Sequence, residues 1–402
     1  MKALQEHLVP IDLVQSVDRL VDLAEVNSST YHRPGLDQTL GMLLELFSSL
    51  EAESARIALA DHQRMDDRGV MQPQPLGEMG AVTKRPGAPI QLLLVGHYDT
   101  VFGVDHSFQH TRFEEDRLVG PGTADMKGGL LVLHAALTTL EQSPWAENVG
   151  WELLLTPDEE IGSPGSAPFL EKSAAGKTAG FIFEPSFPDG HLAGERKGSG
   201  TFDLHVSGIA AHAGRDHHLG RNAVMAAARL AAAIDDLNGT WDGVTINVGA
   251  ISGGGPTNIV PDHAVIRLNV RVPSGDLADE FQKTIEALAA EAAGLDGIRV
   301  TTHGTFTRRP KEMNAGISAL LEAAKSSANA LGFELGWRST GGVSDGNNLA
   351  AAGLPNLDNL GVHGGNIHSD SEFMYPRSLE SRSALAGMIL LKLASGELTV
   401  PQ

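Results

Sequence analysis

The stretch QLLLVGHYDTVFG, residues 91–103, runs from an apolar strand straight into His97, Tyr98, Asp99 and Thr100. A mostly apolar run that stops at a polar cluster reads as a buried strand. The pattern recurs downstream. WELLLTPDEE, residues 151–160, ends in Asp158, Glu159 and Glu160, and FIFEPS, residues 181–186, ends in Glu184. Between them GPGTADMKGG, residues 120–129, sets Asp125 among glycines at the entrance of an apolar helix expected over 128–142. Strands alternating with helices predict α/β layering, and in such sheets ligands bind at the carboxyl ends of the strands. The polar residues above therefore converge on one edge.

Along the rest of the chain, 402 residues exceed what one core usually supports, so two domains are expected. Residues 64–90 are rich in Pro and Gly and read as surface decoration. From about residue 196 the texture changes: strand 200–207, helix 221–237, strands 244–251 and 263–272, helix 276–293, strand 298–303. That β-α-β-β-α-β order predicts a ferredoxin-like unit inserted at 196–308, with 1–195 and 309–402 forming the first domain. Helical patterns near 315–332 and 378–395 complete that domain after the chain returns.

Composition removes several function classes. With 30 basic and 50 acidic residues the formal charge is −20, which disfavours nucleic acid and anionic membrane surfaces as partners. There is no cysteine, so thiolate metal sites, disulfides and cysteine nucleophiles are excluded. No apolar run approaches membrane-spanning length, and the N-terminal segment lacks a signal-peptide core, so a soluble, cytoplasmic protein is expected. GSGTFDLHVSG and SGGGPTN lie before or between strands rather than before a helix, which argues against a nucleotide loop.

What remains is a donor set of His97, Asp125, Glu160, Glu184 and His368, the last in GVHGGNIHSDSE at 361–372. Each alone has an ordinary structural reading as a hydrogen-bonded loop residue or a helix cap. Two histidines and three carboxylates together suit zinc, and a shared carboxylate is a common way to hold two ions about 3.5–4 Å apart.

These residues also carry a resemblance. HYDTV, GPGTADMKGG, TPDEEIGS, FEPS, AAHAG and NIHSDSE, in that order over residues 90–375, resemble the zinc exopeptidase family of glutamate carboxypeptidases, aminoacylases, acetylornithine deacetylases and succinyl-diaminopimelate desuccinylases. GGVSDGNN, residues 341–348, brings the tone closest to the carboxypeptidase G type. The resemblance implies a catalytic domain with a mixed sheet flanked by helices and an inserted ferredoxin-like lid and dimerisation domain. It also implies two Zn²⁺, with Co²⁺ or Mn²⁺ as possible substitutes. Asp125 would bridge the ions, His97 and Glu184 completing one site and Glu160 and His368 the other. Glu159 would be the general base, Asp99 would orient His97 through its second nitrogen, and the Asp125–Met126 peptide would be cis. Glu at position 184 resembles the carboxypeptidase and deacylase branches more than the aminopeptidase branch.

A dinuclear site with a carboxylate base predicts amide hydrolysis, and the resemblance implies release of a C-terminal amino acid, glutamate among the candidates, from an N-acyl or peptide substrate. A deacylase of the acetylornithine or desuccinylase kind shares every metal residue. A catalytically silent binder of metal or amino acid is the alternative from another class, and an intact Glu159 speaks against it. By resemblance His212, in VSGIAAHAG, would donate to the oxyanion from the other subunit of a homodimer paired through the inserted domain. Its ordinary reading is a loop histidine, as for His217 and His218. On DHAVIRLNVRVP, residues 262–273, alternation puts Arg267, Asn269 and Arg271 opposite the apolar face, where Arg271 would hold a substrate carboxylate. The plain alternative is an arginine that keeps the strand soluble. GGGPTNIVP resembles a family loop that offers an Asn, here Asn258, to the substrate.

Overall fold

A computed structural model describes residues 2–401. Its larger sheet is mixed. It contains β1 (Glu53–Ile57), β2 (Met79–Lys84), β3 (Ile90–His97), β4 (Val149–Thr156), β5 (Ala179–Ile182) and the short strand Asn356–Leu357. The spatial order is β1-β2-β4-β3-β5 and then Asn356–Leu357. β1 and β2 pair antiparallel, as do β2 and β4, whereas β3 runs parallel to both β4 and β5. The apolar run of β3 is buried on both faces as its sequence requires. Leu92 and Leu94 enter one core, with the helices Gly128–Glu141 and Ser378–Ser395, and Leu93 and Val95 enter a second, with Leu154, Leu170 and Leu349.

Placing the helix Gly128–Glu141 against the sheet depends on a glycine. A Cβ at Gly129 would stand 1.9 Å from the Phe183 carbonyl oxygen, so only glycine permits this approach. The turn that carries Asp125 is thereby set beside the end of β5. The Asp125–Met126 peptide is cis.

The second sheet contains β6 (Gly198–Ser207), β7 (Thr245–Gly253), β8 (His263–Val272) and β9 (Arg299–Arg308), in spatial order β7-β8-β6-β9 and antiparallel throughout. With the helices Ala223–Asp235 and Gly275–Ala293 this is the ferredoxin-like β-α-β-β-α-β arrangement expected from the sequence. Both helices cover one face, burying Phe202, Leu204, Val206, Ile266, Leu268 and Val270. The other face is polar.

Three features differ from the sequence reading. Residues 64–90 are not mere decoration: β2 lies inside the larger sheet with Met79 and Val82 buried, its short length and glycine having hidden it. A hairpin of His62–Met65 and Met71–Gln74 also meets the second sheet, where Arg267 donates to the Met65 carbonyl at 3.2 Å and pairs with Asp67 at 2.9 Å. The last strand continues five residues past the expected 303, through Gly304 at φ +103°, where a Cβ would lie 2.0 Å from the Thr201 carbonyl oxygen. Among the described residues no helix is long and apolar enough to cross a membrane.

Candidate active site

The carboxyl ends of β3, β4 and β5 bring the polar residues together. His97, the last residue of β3, puts Nε2 3.0 Å from Asp125 Oδ1 and 3.8 Å from Glu184 Oε1. Asp125 turns its other oxygen to His368, whose Nε2 lies 3.3 Å away and 3.1 Å from Glu160 Oε2. Two triads result, His97–Asp125–Glu184 and Asp125–Glu160–His368, each with donor atoms within 4.8 Å of one another. Asp125 belongs to both.

The electrostatics of this cluster point to cations. Burial and the Asp125 charge push Glu160 up to about 8 and Glu184 well above the carboxylate range. Burial would lower His97, but hydrogen bonds to Asp125, Asp99 and Glu184 carry it far above its ordinary value. His368 rises to about 11 on its contacts with Asp125 and Glu160. Crowded carboxylates that hold protons through histidines are what divalent ions replace, and the nitrogen and oxygen donors fit such ions.

Asp99 supports the site differently from the expectation. The His97 Nδ1 lies nearer the Asp99 carbonyl oxygen, at 3.1 Å, than its carboxylate, at 3.4 Å. The carboxylate instead accepts from the Thr30 hydroxyl at 2.7 Å and from the backbone N–H groups of Glu159 and Glu160 at 3.2 and 3.3 Å. One buried aspartate thus aligns both His97 and the Glu159–Glu160 turn.

Glu159 is buried beside the triads and pairs with Arg308, Nη1 to Oε1 at 2.7 Å. Burial raises the Glu159 carboxyl while the Arg308 charge opposes the rise. Arg308 also donates to Ser163 and pairs with Asp345 at 3.1 Å. Glu159 and Arg308, with Asp125, Glu160, Glu184 and His368, line a cleft of about 640 Å³ whose wall includes Arg196, Ser199, Thr201, Asn269 and Arg271. The polar face of the second sheet is therefore one wall of the cleft, and Arg271 faces it as the strand alternation required.

His212 and Asn258 lie elsewhere. His212 pairs with Ile259 in a two-stranded ribbon, Ala211–His212 against Ile259–Val260, and Asn258 adjoins it; both are exposed and neither lines the cleft. Asn258 is thus separated from Arg271 within the chain. The ring orientation of His212 is defined nonetheless. Its Nδ1 accepts from the backbone N–H groups of Gly214 and Arg215 at 3.1 and 3.2 Å, so the neutral ring carries its proton on Nε2 and presents a donor outward.

Sequence comparison places this geometry. A family model described as peptidase family M20/M25/M40 matches residues 93–392. The chain belongs to peptidase family M20. Carboxypeptidase G2 of Pseudomonas sp. (strain RS-16) is 29% identical over 329 residues, which cover 79% of this chain and 77% of that protein. The M20 family metallo-carboxypeptidase of Sulfolobus solfataricus superposes with a TM-score of 0.71 at 18% identity, covering 94% of this chain and 98% of that one. A tripeptidase of Staphylococcus aureus superposes with a TM-score of 0.73 at 21% identity, covering 96% and 100%. The resemblance stated from the motifs and the fold expected from it are borne out, and the chain is a hydrolytic enzyme of the metallopeptidase class. Because a carboxypeptidase and a tripeptidase share the M20 fold, the fold leaves the substrate to the cleft.

Several residues of the candidate site escaped the sequence reading. Glu372, the last residue of NIHSDSE, accepts from the Ala124 and Asp125 N–H groups at 3.0 Å each and so positions the residue common to both triads. Lys127 is buried and donates to the Leu23 and Val26 carbonyls at 2.9 and 3.0 Å, tying the Asp125 turn to the helix Leu13–Ala24. Arg308 and Asp345 are the other omissions. Asp345, in GGVSDGNN, was legible as a motif but not as the anion opposite Arg308.

Proposed function

We propose that this M20 enzyme hydrolyses an amide bond to release a C-terminal amino acid from an N-acyl or short peptide substrate. The observation that supports the reading most is the pair of triads sharing Asp125, with Glu159 beside them and Arg271 across the same cleft. His97, Asp125 and Glu184 would hold one divalent ion and Asp125, Glu160 and His368 a second, zinc or in its place cobalt or manganese, and the pair would supply Lewis-acid activation of water and of the scissile carbonyl.

The protein's own groups supply the rest. Glu159, fixed by its backbone bond to Asp99 and its side-chain pair with Arg308, takes a proton from the attacking water and delivers it to the leaving nitrogen. Arg271 holds the carboxylate of the amino acid to be released. His212, exposed and with its Nδ1 already accepting from Gly214 and Arg215, and Asn258 beside it serve the cleft of a partner in a homodimer joined through residues 196–308. His212 there donates to the developing oxyanion. The exposure of His212 and Asn258 and their absence from their own cleft support that arrangement.

The test is a mass-spectrometric hydrolysis screen of zinc-loaded protein, using N-acyl amino acids and dipeptides that vary both halves. Rates governed by the C-terminal residue support the carboxypeptidase reading. Rates governed by the acyl group transfer the protein to the deacylases, and no turnover with both metals bound points to a silent binder. For the dimer, mixing inactive Glu159→Gln and His212→Ala proteins should restore part of the activity. No restoration, with subunit exchange verified, would remove the in-trans role.

A further inference from the structure

The cleft wall contains several cations, and nearly all are already matched. Arg196 spends Nε on Asp358 at 2.7 Å, Nη1 on the Gly342 carbonyl at 3.2 Å and Nη2 on Asn359 at 2.6 Å. Arg308 is paired with Glu159 and Asp345. His368 contacts Asp125 and Glu160. Lys311, also buried with an unpartnered nitrogen, is absent from the cleft lining.

Arg271 differs from all of these. Its Nε donates to Asn269 Oδ1 at 2.9 Å, and its Nη1 is buried without a partner. The Asn269 amide cannot be turned round, because its nitrogen donates to Ser199 Oγ and the Gly200 carbonyl oxygen at 3.1 Å, and that carbonyl only accepts. Burial and the neighbouring Arg308 charge both push the Arg271 guanidinium below its ordinary value, and no acid opposes them. A neutral amide dipole therefore orients this guanidinium and leaves its charge uncompensated. Ser199, Thr201, Thr307 and Thr340 add uncharged hydroxyls to the lining of the same cleft.

We propose that the cleft selects a released amino acid with one negative charge, its main-chain carboxylate on Arg271, and with an uncharged side chain; Asn269 is the residue that positions Arg271. This deepens the amide-hydrolysis reading and rests on it. A second carboxylate, as in glutamate or aspartate, finds no unmatched cation on this wall and enters a chain whose formal charge is −20.

Glutamine and glutamate are close in shape and differ in charge, so matched N-acetyl or alanyl pairs isolate the effect. Glutamine-ended substrates should have a kcat/KM about tenfold or more above their glutamate-ended partners. Asn269→Asp, which sets a carboxylate against Arg271, should raise KM for the glutamine-ended substrate about tenfold while kcat changes much less. Equal or higher kcat/KM for glutamate-ended substrates would overturn the proposal. Binding supplies an independent readout. N-acetyl-L-glutamine should raise the melting temperature more than N-acetyl-L-glutamate at equal concentration, and Arg271→Ala should abolish the difference. The reverse order, or a difference that survives in Arg271→Ala, contradicts it. Absence of hydrolysis across all substrates would defeat the amide-hydrolysis reading alone, because the melting-temperature comparison still decides the charge selectivity.

Discussion

The two sheets use their residues in opposite ways. β3 of the larger sheet is covered on both faces, so Leu92 to Val95 are all buried and the candidate residues lie at the strand ends and in the turns after them: His97 at the end of β3, Glu159 and Glu160 after β4, Glu184 after β5. The smaller sheet is covered on one face, and alternate residues along its strands, Asn269 and Arg271 among them, reach the cleft. A sheet closed on both sides offers its ends; a sheet open on one side offers its surface. The proposed metal chemistry sits on the first and the proposed substrate recognition on the second.

Substitutions can challenge that division. The largest effect is expected at the strand ends: Glu159→Gln should lower kcat by about 10²–10⁴-fold with bound metal unchanged. A loss well under 10²-fold in steady-state assays would remove Glu159 as the base. On the open sheet, Arg271→Ala should instead raise KM by about tenfold to a hundredfold, the range of a charge-assisted hydrogen bond, and affect kcat less. A fall in kcat with KM unchanged would place Arg271 in the chemistry and blur the division.

Stability should divide the same way. In β3, Leu93→Ala and Leu94→Ala, adjacent in sequence but in different cores, should each cost about 2–5 kcal/mol in denaturant unfolding. In β6, buried Phe202→Ala should cost about 3–5 kcal/mol, whereas exposed Thr201→Ala should stay within about 0.5 kcal/mol. Equal costs at the two β6 positions would mean that its polar face is covered after all. The smallest effect concerns the layer that covers the larger sheet. His134, on the helix Gly128–Glu141, is pushed down to about 4 by burial. The unfolded chain takes up that proton first, near its ordinary value of about 6.5, so stability should fall as pH drops from about 6.5 to 4. His134→Gln should flatten melting temperature against pH in that window; an unchanged slope would show that His134 does not contribute.

The division also explains what the sequence made legible. A buried strand that ends in His or Glu is conspicuous because polar residues interrupt an apolar run, and His97, Glu160 and Glu184 stood out in this way, whereas Asp125 and His368 were read from the glycine-bearing segments GPGTADMKGG and GVHGGNIHSDSE. Arg271 was legible through period-two alternation. Arg308 was not. It lies beyond Gly304, which interrupts the strand pattern, and its partners Glu159 and Asp345 lie 149 and 37 residues away. Glu372 and Lys127 act on the backbone of other segments, and no local periodicity records such a contact. β2 was hidden because six residues containing a glycine and flanked by Pro-rich sequence resemble a loop until β4 pairs with them. The separation of Asn258 from Arg271 was likewise invisible, since it depends on where a two-residue ribbon projects.

The decisive measurement is the stoichiometry of metal binding, by elemental analysis after dialysis and by calorimetric titration of the metal-free protein with zinc. The shared position of Asp125 predicts two ions per chain, loss of both in Asp125→Ala, and loss of one in each of Glu184→Ala and His368→Ala. A single ion per chain, or an Asp125→Ala protein that still binds two, would contradict the dinuclear centre on which the proposed chemistry depends.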